Sequence, residues 1–234
     1  MDNRVYLEET ALLDYNSFAI KELIKSKNWQ LMDEKGKILA IYNYVRYDIS
    51  FGYNVGDNIS ATRVLRDGYG QCNTKGILFM ALLRAIGVSC RMHGFYVDNS
   101  MQKGMLKSFY YALSPKDILH SWVEVFYKDN WFNLEGFILD MGYISKLQEK
   151  FKDCNGSFYG YAVAVDDFKN PPIEWDENDT YIQKENITKD LGTFNNPDEL
   201  FTKYTQKIGL VKNLAYKYLV RHLMNKNVRA IREL

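Results

Sequence analysis

Residues 70–87 read GQCNTKGILFMALLRAIG, and this stretch decides the fold. Beyond its first turn it is apolar on nearly every face of a helix, which is typical of a helix that lies inside a protein. Gly87 is well placed to end that helix. The segment before it, Asp67–Gly70, is a tight turn that contains two glycines. The sequence therefore predicts a buried helix with Cys72 at its start.

Cys72 occupies a position that favours a reactive thiol. The helix macrodipole stabilises a thiolate at the N-terminal end, and the unpaired N–H groups of the first turn can stabilise an oxyanion. Gly68 and Gly70 would let a substrate backbone approach closely. The alternative is a buried structural cysteine, which is the commonest fate of a free cysteine. Position alone leaves both interpretations open.

A predicted hairpin supplies two possible partners for Cys72. Residues His120–Tyr127 alternate in strand fashion, Lys128–Asn130 form a turn, and Trp131–Glu135 start a second strand. His120 is the usual kind of base for a cysteine nucleophile. Glu135 would accept a hydrogen bond from the imidazole, fix its tautomer and stabilise the imidazolium. The plainer alternatives are that His120 is a half-exposed polar residue at a strand start and that Glu135 is a surface carboxylate.

The hairpin register does not by itself bring Glu135 to His120. With the turn at Lys128–Asn130, His120 lies opposite residue 137 or 138. Glu135 is then about 7–10 Å off register along the strand. We therefore expect a bulge or a strong twist to close the gap.

The remaining segments predict helices on either side of this core. Residues Ser17–Lys27 and Asp33–Tyr47 carry apolar residues at helical spacing. Val88–Val97 reads as a strand, and a later strand is expected near Tyr159–Val165. At least two helices follow, the first of them capped by Asn196 with a proline at its first position. Between the strands, residues 100–115 are expected to form a polar loop with a helical turn.

Together these motifs resemble the transglutaminase-like superfamily, in which G-x-C opens a helix that ends in L-L-R-A-x-G-(I/V)-x-x-R. Residues 70–91 follow that pattern, and HSWVEV, beginning at His120, is similar to the H-A-W-V-E-V strand of the family. Trp131–Glu135 matches the W-x-x-x-D segment in spacing. The resemblance covers roughly residues 40–140, and by it the chain is identified as a stand-alone member of bacterial type.

The resemblance implies an α+β, papain-like core in which the nucleophile helix packs on an antiparallel sheet, with helical N- and C-terminal elaborations. It makes Cys72 the nucleophile, His120 the base and Glu135 the orienting acid. It implies acyl transfer or hydrolysis of an amide or peptide bond through a thioester, without a cofactor or metal. The departures from the family pattern are glutamate in place of aspartate and Gly136 in place of proline.

The same resemblance implies a substrate that is a peptide, a protein glutamine or a small amide. The alternative function is that of a catalytically degenerate member that keeps the fold as a binding module. A second oxyanion donor should lie beside the Cys72 amide, and the candidates are Gln71, Tyr53 and Asn54. Residues 1–144 are predicted to form the catalytic core with its N-terminal helices, and residues 145–234 an elaboration packed on that core.

Composition limits the other function classes. The 234-residue chain has a net charge of +1, which implies no general attraction to nucleic acid or to anionic membranes. Residues 166–199 hold ten acidic side chains against three lysines, residues 203–234 hold eight basic ones against Glu233, and the two segments can neutralise each other. Three cysteines do not suggest a disulfide framework. With no signal peptide and no transmembrane run apparent, we expect a reduced, cytoplasmic location.

Overall fold

The protein is described by a computed structural model, which covers residues 3–106, 111, 114–206 and 209–234. Two helices near the N-terminus, α1 (Phe18–Lys27) and α2 (Glu34–Tyr47), confirm the predicted pair. The carboxylate of Asp33 caps α2 by accepting a hydrogen bond from the N–H of Gly36 at 2.9 Å.

The helix that follows the predicted turn is α4 (Cys72–Ala85), and thirteen of its fourteen residues are buried. Two parallel strands, β1 (Ser50–Phe51) and β2 (Tyr69–Gly70), lead into it, with the helix α3 (Ala61–Asp67) between them. Ser60 caps α3, as the sequence predicts. The prediction of a buried helix that begins at Cys72 is confirmed.

Three strands after α4 form an antiparallel meander. They are β3 (Cys90–Asp98), β4 (Asp117–Tyr127) and β5 (Asn130–Leu134). Helix α4 packs against β3 and β4, so one face of the sheet is covered by the helix that carries Cys72. This confirms the predicted α+β arrangement of a buried helix on an antiparallel sheet. The predicted loop at residues 100–115 lies partly outside the described residues.

The C-terminal third completes the sheet and covers its surroundings. It begins with α5 (Met141–Lys150) and the small hairpin of β6 (Phe158–Gly160) and β7 (Val163–Val165). Strand β8 (Ile187–Phe194) then pairs antiparallel with the free edge of β3, so the strand order is β5-β4-β3-β8.

Helical segments end the chain. These are α6 (Pro197–Lys203), α7 (Leu210–Ala215), a π-helical segment (Tyr216–Val220) and α8 (Arg221–Arg232). The Asn196 cap of α6 is confirmed, since its side chain accepts a hydrogen bond from the N–H of Glu199. Single 3₁₀ turns lie at Asn3–Leu7, Trp29–Leu31, Asn99–Gln102 and Lys184–Asn186.

Strand β8 was not predicted from the sequence. Most of its residues are exposed, so it lacks the alternation of apolar and polar residues that marks a half-buried strand. The strand expected near Tyr159–Val165 is present as the separate hairpin of β6 and β7 rather than as part of the main sheet. The division into residues 1–144 and 145–234 stays a prediction. The structure adds that α5 crosses its boundary and that β8 joins the sheet of the first part.

The neutralisation between the two charged C-terminal segments stays a prediction, and the ion pairs of the acidic segment lead to the first part of the chain. Among the described residues, the acids of residues 166–199 form their ion pairs with side chains of the first 130 residues. Their partners are Lys35, Arg46, His93 and Lys128. These contacts dock the acidic segment onto the core. In the described part of the chain, no helix has both the length and the apolar character needed to cross a membrane.

We predict that Gly136→Ala destabilises the fold. A Cβ at this position would lie 2.7 Å from the Cα and 2.8 Å from the carbonyl oxygen of Ile173, and it would also clash with the hydroxyl of Tyr42. Overpacking of this kind costs about 1–3 kcal/mol. Urea unfolding followed by tryptophan fluorescence measures the loss. Gly56→Ala is the control, because a Cβ there meets its nearest atom, on Asn58, at 3.6 Å. Equal stabilities of the two variants would contradict the prediction.

Candidate active site

Cys72 is the first residue of α4 and lies at the wall of a cavity. Its side chain is mostly buried, with 8% of the residue exposed. The first intrahelical hydrogen bond runs from the N–H of Lys75 to the carbonyl oxygen of Gln71 at 2.8 Å. The N–H of Cys72 donates no hydrogen bond to any described residue, so it remains available at the positive end of the helix.

The residues around Cys72 are held by a polar network from the preceding loop. Thr74 accepts a hydrogen bond from the N–H of Gln71 at 3.0 Å and donates one to the side chain of Asn54 at 2.7 Å. The side-chain oxygen of Gln71 accepts the N–H of Asn54 at 3.0 Å. Its amide nitrogen donates to Asp57 at 2.9 Å. These bonds fix the entry to α4, which determines where the thiol points.

His120 lies on β4, opposite Phe95 of β3, and is completely buried. Its ring packs edge-on against Phe95 at a centroid distance of 4.8 Å. The Nε2 atom lies 2.7 Å from Oε1 of Glu135. The Nδ1 atom is buried and has no hydrogen-bond partner in the part of the chain that the structure describes. Since Nε2 is bound to Glu135, Nδ1 is the ring nitrogen that remains for the thiol of Cys72.

Glu135 is completely buried, and donors surround its carboxylate. One oxygen, Oε1, accepts the hydrogen bond from His120. The other, Oε2, accepts the backbone N–H groups of Ile182 and Gln183, each at 2.8 Å. The backbone N–H of Glu135 itself donates to the carbonyl oxygen of Thr180 at 3.0 Å. A segment from the C-terminal third therefore binds the carboxylate that the sequence predicts as the orienting acid.

The predicted register problem is solved by the end of the β ladder. The pairing between β4 and β5 ends at Val123 and Leu134, and its continuation would set His120 opposite residue 137. Glu135 is the first residue beyond the ladder, where the chain pairs instead with Thr180. Its side chain then crosses to His120. No bulge within the ladder is needed.

The environment of His120 favours its protonated form. Burial, the largest single effect, lowers the pKa of the imidazole, but the Cys72 side chain and the Glu135 carboxylate together outweigh it and raise that pKa to about 10. The raised pKa of His120 makes the stability of the protein depend on pH. A histidine whose pKa is raised on folding stabilises the protein fully below its unfolded value of 6.5, and that contribution is lost as the pH rises through about 10.

A cavity of about 590 Å³ opens beside Cys72. Its wall is built from several parts of the chain, among them the loop before α4, the start of β4, the segment before β8 and the C-terminal helices. Side chains from these parts include Tyr53, Asp57, Leu119, Gln183, Tyr216 and Met224. The cavity has the size and the mainly apolar wall with a few polar groups that are typical of a small-molecule or side-chain pocket.

The structure separates the three candidate oxyanion donors. Tyr53 lines the cavity, and its hydroxyl donates no hydrogen bond to a described residue. Burial, together with Tyr143 and Cys72, raises the pKa of Tyr53 well above its ordinary value, so the hydroxyl remains a donor. Gln71 also lines the cavity, but its amide is engaged by Asp57 and Asn54. The Asn54 amide binds Asp67, Tyr69 and Thr74 and does not line the cavity.

The C-terminal helices hold the loop that carries Tyr53. The side-chain amide of Asn225 accepts the backbone N–H of Tyr53 at 2.7 Å and donates to its carbonyl oxygen at 3.0 Å. The hydroxyl of Tyr216 donates to the carbonyl oxygen of Asn54 at 3.2 Å. These contacts, and the positions of Asp57 and Gln183, could not be predicted from the sequence. Their residue types are common in loops and on helix surfaces, and several of their bonds join backbone atoms, which every residue carries.

Within residues 3–106, 111, 114–206 and 209–234, no group of three or more histidine, cysteine or acidic side chains is arranged to hold an ion. The polar groups around Cys72 are instead hydrogen-bonded to one another.

The sequence matches a family model, and the fold is similar to solved structures. The family model of the transglutaminase-like superfamily matches residues 23–136. A candidate cysteine protease from Cytophaga hutchinsonii is 12% identical with a TM-score of 0.47, and the match covers 85% of this chain and 48% of that one. Red sea bream transglutaminase is 17% identical with a TM-score of 0.33, covering 56% of this chain and 27% of that one. The chain thus spans less than half the length of either protein. No curated protein matches the sequence.

We predict that Cys72→Ser lowers the pKa of His120. The side chain of Cys72 is the leading cause that raises this pKa, and a serine hydroxyl does not ionise in the accessible range. NMR titration of the imidazole ring signals measures the change.

His93 is the internal control for this titration. Burial lowers the pKa of His93, but its hydrogen bonds to Glu124 and Asp190 outweigh that effect and raise it. These partners do not involve Cys72, so the titration of His93 should be the same in both proteins. An unchanged pKa of His120 in the variant would mean that the thiol and the imidazole do not interact.

Proposed function

Because residues 23–136 belong to the transglutaminase-like superfamily, we propose that the protein is a cysteine-dependent enzyme that transfers or hydrolyses the acyl group of an amide or peptide bond. In this proposal Cys72 is the nucleophile, His120 the general base and acid, and Glu135 the orienting acid. The observation that carries it is the buried hydrogen bond between His120 and Glu135, together with a thiol at the cavity wall whose side chain raises the pKa of His120.

The first step is the formation of a thiolate–imidazolium pair. With its pKa raised to about 10, His120 holds a proton at neutral pH, and the negative partner is the sulfur of Cys72. The hydrogen bond to Glu135 keeps the imidazolium in place through Nε2. Nδ1 remains as the ring nitrogen that can hold the proton for the thiol and later for the leaving group.

The thiolate then attacks the carbonyl carbon of the amide. A C–S bond forms, and the carbonyl oxygen becomes an oxyanion that can accept the N–H of Cys72 and the hydroxyl of Tyr53. As the C–N bond breaks, His120 gives its proton to the departing nitrogen, which leaves as ammonia or an amine. Water or a second amine next attacks the thioester and yields its proton to His120. The C–S bond breaks, and the thiolate–imidazolium pair is restored.

The substrates we propose are peptides, protein glutamine side chains and small amides. The cavity of about 590 Å³ can hold one extended side chain or a small molecule at the thiol. The second candidate function is that of a binding module without catalysis. The wholly buried pair of His120 and Glu135 argues against it, because a buried ionised pair is costly to keep unless it has a role.

We predict that iodoacetamide labels Cys72 rapidly in mildly acidic solution, where an ordinary thiol with a pKa of about 8.5 reacts slowly. His120→Ala should abolish this reactivity, because the variant lacks the imidazolium that stabilises the thiolate. Mass spectrometry of labelled peptides across a pH series measures the rates. Cys154→Ser is the control. Cys154 is the partly exposed cysteine of the three, and its loss should leave the labelling profile of Cys72 unchanged. The same ordinary thiol profile in the wild type and His120→Ala would reject the catalytic proposal.

We also predict that the protein releases ammonia from glutamine-containing peptides and that Cys72→Ala abolishes the release. Glu135→Gln should lower the rate at least about a hundredfold, because one amide oxygen cannot accept from His120 and from the two backbone N–H groups together. Coupled ammonia detection measures the release, and mass spectrometry of the peptide product, with and without an added primary amine, distinguishes hydrolysis from transfer. Wild-type rates for Cys72→Ala would refute the assignment of the nucleophile.

A further inference from the structure

One carboxylate lies on the cavity wall beside the predicted nucleophile. Asp57 is half-buried and is the one acidic side chain among the described residues that line the cavity. It hydrogen-bonds Gln71 at 2.9 Å and also interacts with the side chain of Asn73, so it touches both neighbours of Cys72 in the chain. Its charge also reaches His120. Asp57 is therefore within a few ångströms of the place where a scissile carbonyl would lie.

No cation neutralises this carboxylate by direct contact. Asp57 forms no ion pair with a side chain in the part of the chain that the structure describes. Burial raises the pKa of Asp57 and outweighs the hydrogen bonds to Gln71 and Asn73 and the charge of His120, all of which lower it. A ligand cation would remove this cost.

Two tyrosines line the same cavity as Asp57. Tyr53 is more than nine-tenths buried, and its hydroxyl donates to no described residue. Tyr216 also lines the cavity, and burial followed by the charge of Asp57 raises the pKa of its hydroxyl. Each ring offers an aromatic face and an oxygen acceptor. A carboxylate with tyrosine rings beside it is a combination that suits an ammonium group, through hydrogen bonds and cation–π contact.

We propose that Asp57, Tyr53 and Tyr216 form a subsite, the Asp57 corner, that binds a primary ammonium group of the substrate next to the carbonyl that Cys72 attacks. This inference rests on the proposed function and deepens it by naming the substrate class: amides whose acyl group carries an ammonium about one residue's length from the carbonyl. Neutral and anionic analogues of the same size lack the charge that completes the corner.

The test uses three methanethiosulfonate reagents that differ in charge: aminoethyl (cationic), methyl (neutral) and sulfonatoethyl (anionic). In each case a thiolate attacks the divalent sulfur of the reagent. A mixed disulfide forms, the bond from that sulfur to the sulfonyl group breaks, and methanesulfinate leaves. Rates at Cys72 are measured by mass spectrometry in a Cys154→Ser background and divided by the rates with free mercaptoethanol. The readout is modification of the thiol and needs no catalytic turnover.

In the parent protein, we predict that the cationic reagent modifies Cys72 at least about tenfold faster than the neutral one after this correction, as expected for opposite charges at short range. Asp57→Asn should remove the preference, since asparagine can keep the hydrogen bond from Gln71 but not the charge. Asp57→Glu should retain it. Asp117→Asn is the matched control: Asp117 is exposed, precedes residues that line the cavity, and does not line it itself. Equal corrected rates for all three reagents in the parent protein would overturn the proposal, as would an unchanged preference in Asp57→Asn.

A measurement on the unmutated chain keeps the proposal testable if Asp57→Asn does not fold. Ethylammonium chloride should slow the reaction of Cys72 with the neutral reagent, and sodium chloride at equal ionic strength should not. Equal effects of the two salts would also overturn the proposal. The pH profile with the neutral reagent reports separately on the proposed function. An ordinary thiol profile with the cation preference intact would reject the catalytic assignment and keep the Asp57 corner. A fast, His120-dependent profile without the cation preference would keep the catalytic assignment and reject the Asp57 corner.

Discussion

The carboxylate of Glu135 is the interaction on which the site and much of the fold depend. It is completely buried, and its two oxygens take three donors, from His120 and from the backbone of Ile182 and Gln183. A buried charge is tolerated only when its hydrogen bonds are satisfied, and removing one partner typically costs about 3–5 kcal/mol. The carboxylate thus joins β4, the end of β5 and the C-terminal third in one arrangement.

This arrangement makes the C-terminal third part of the site. Gln183 binds Glu135 through its backbone while it also lines the cavity, so the carboxylate of Glu135 and the cavity wall are positioned together. On the other side, Asn225 and Tyr216 hold the backbone of Tyr53 and Asn54. Residues 23–136, which match the family model, would lack both sets of contacts on their own. The C-terminal third therefore helps to shape the cavity.

The sequence predicts the helix of Cys72 and the strand of His120 because both leave strong patterns. An all-apolar helix and an alternating strand are local features, and their motifs survive without knowledge of neighbours. The partners of Glu135 could not be predicted, because backbone N–H groups occur at every residue except proline. Asp57 was missed for a related reason. It lies in a loop rich in glycine, asparagine and aspartate, where an acid is unremarkable until the fold brings it to the thiol.

The two departures from the family pattern, Glu135 and Gly136, are best understood as one adaptation. Glu135 follows the last ladder pair, while the ladder would set residue 137 opposite His120, so the acid must reach along the sheet. The extra methylene of glutamate supplies reach that aspartate lacks. Gly136 then passes against Ile173 without room for a Cβ, and its N–H donates to the hydroxyl of Thr180 at 3.1 Å. Proline could offer neither the space nor the N–H. Gly136 therefore lets the chain lie close to the segment of Ile182 and Gln183, whose backbone N–H groups bind Glu135. The two departures are thus compatible with each other.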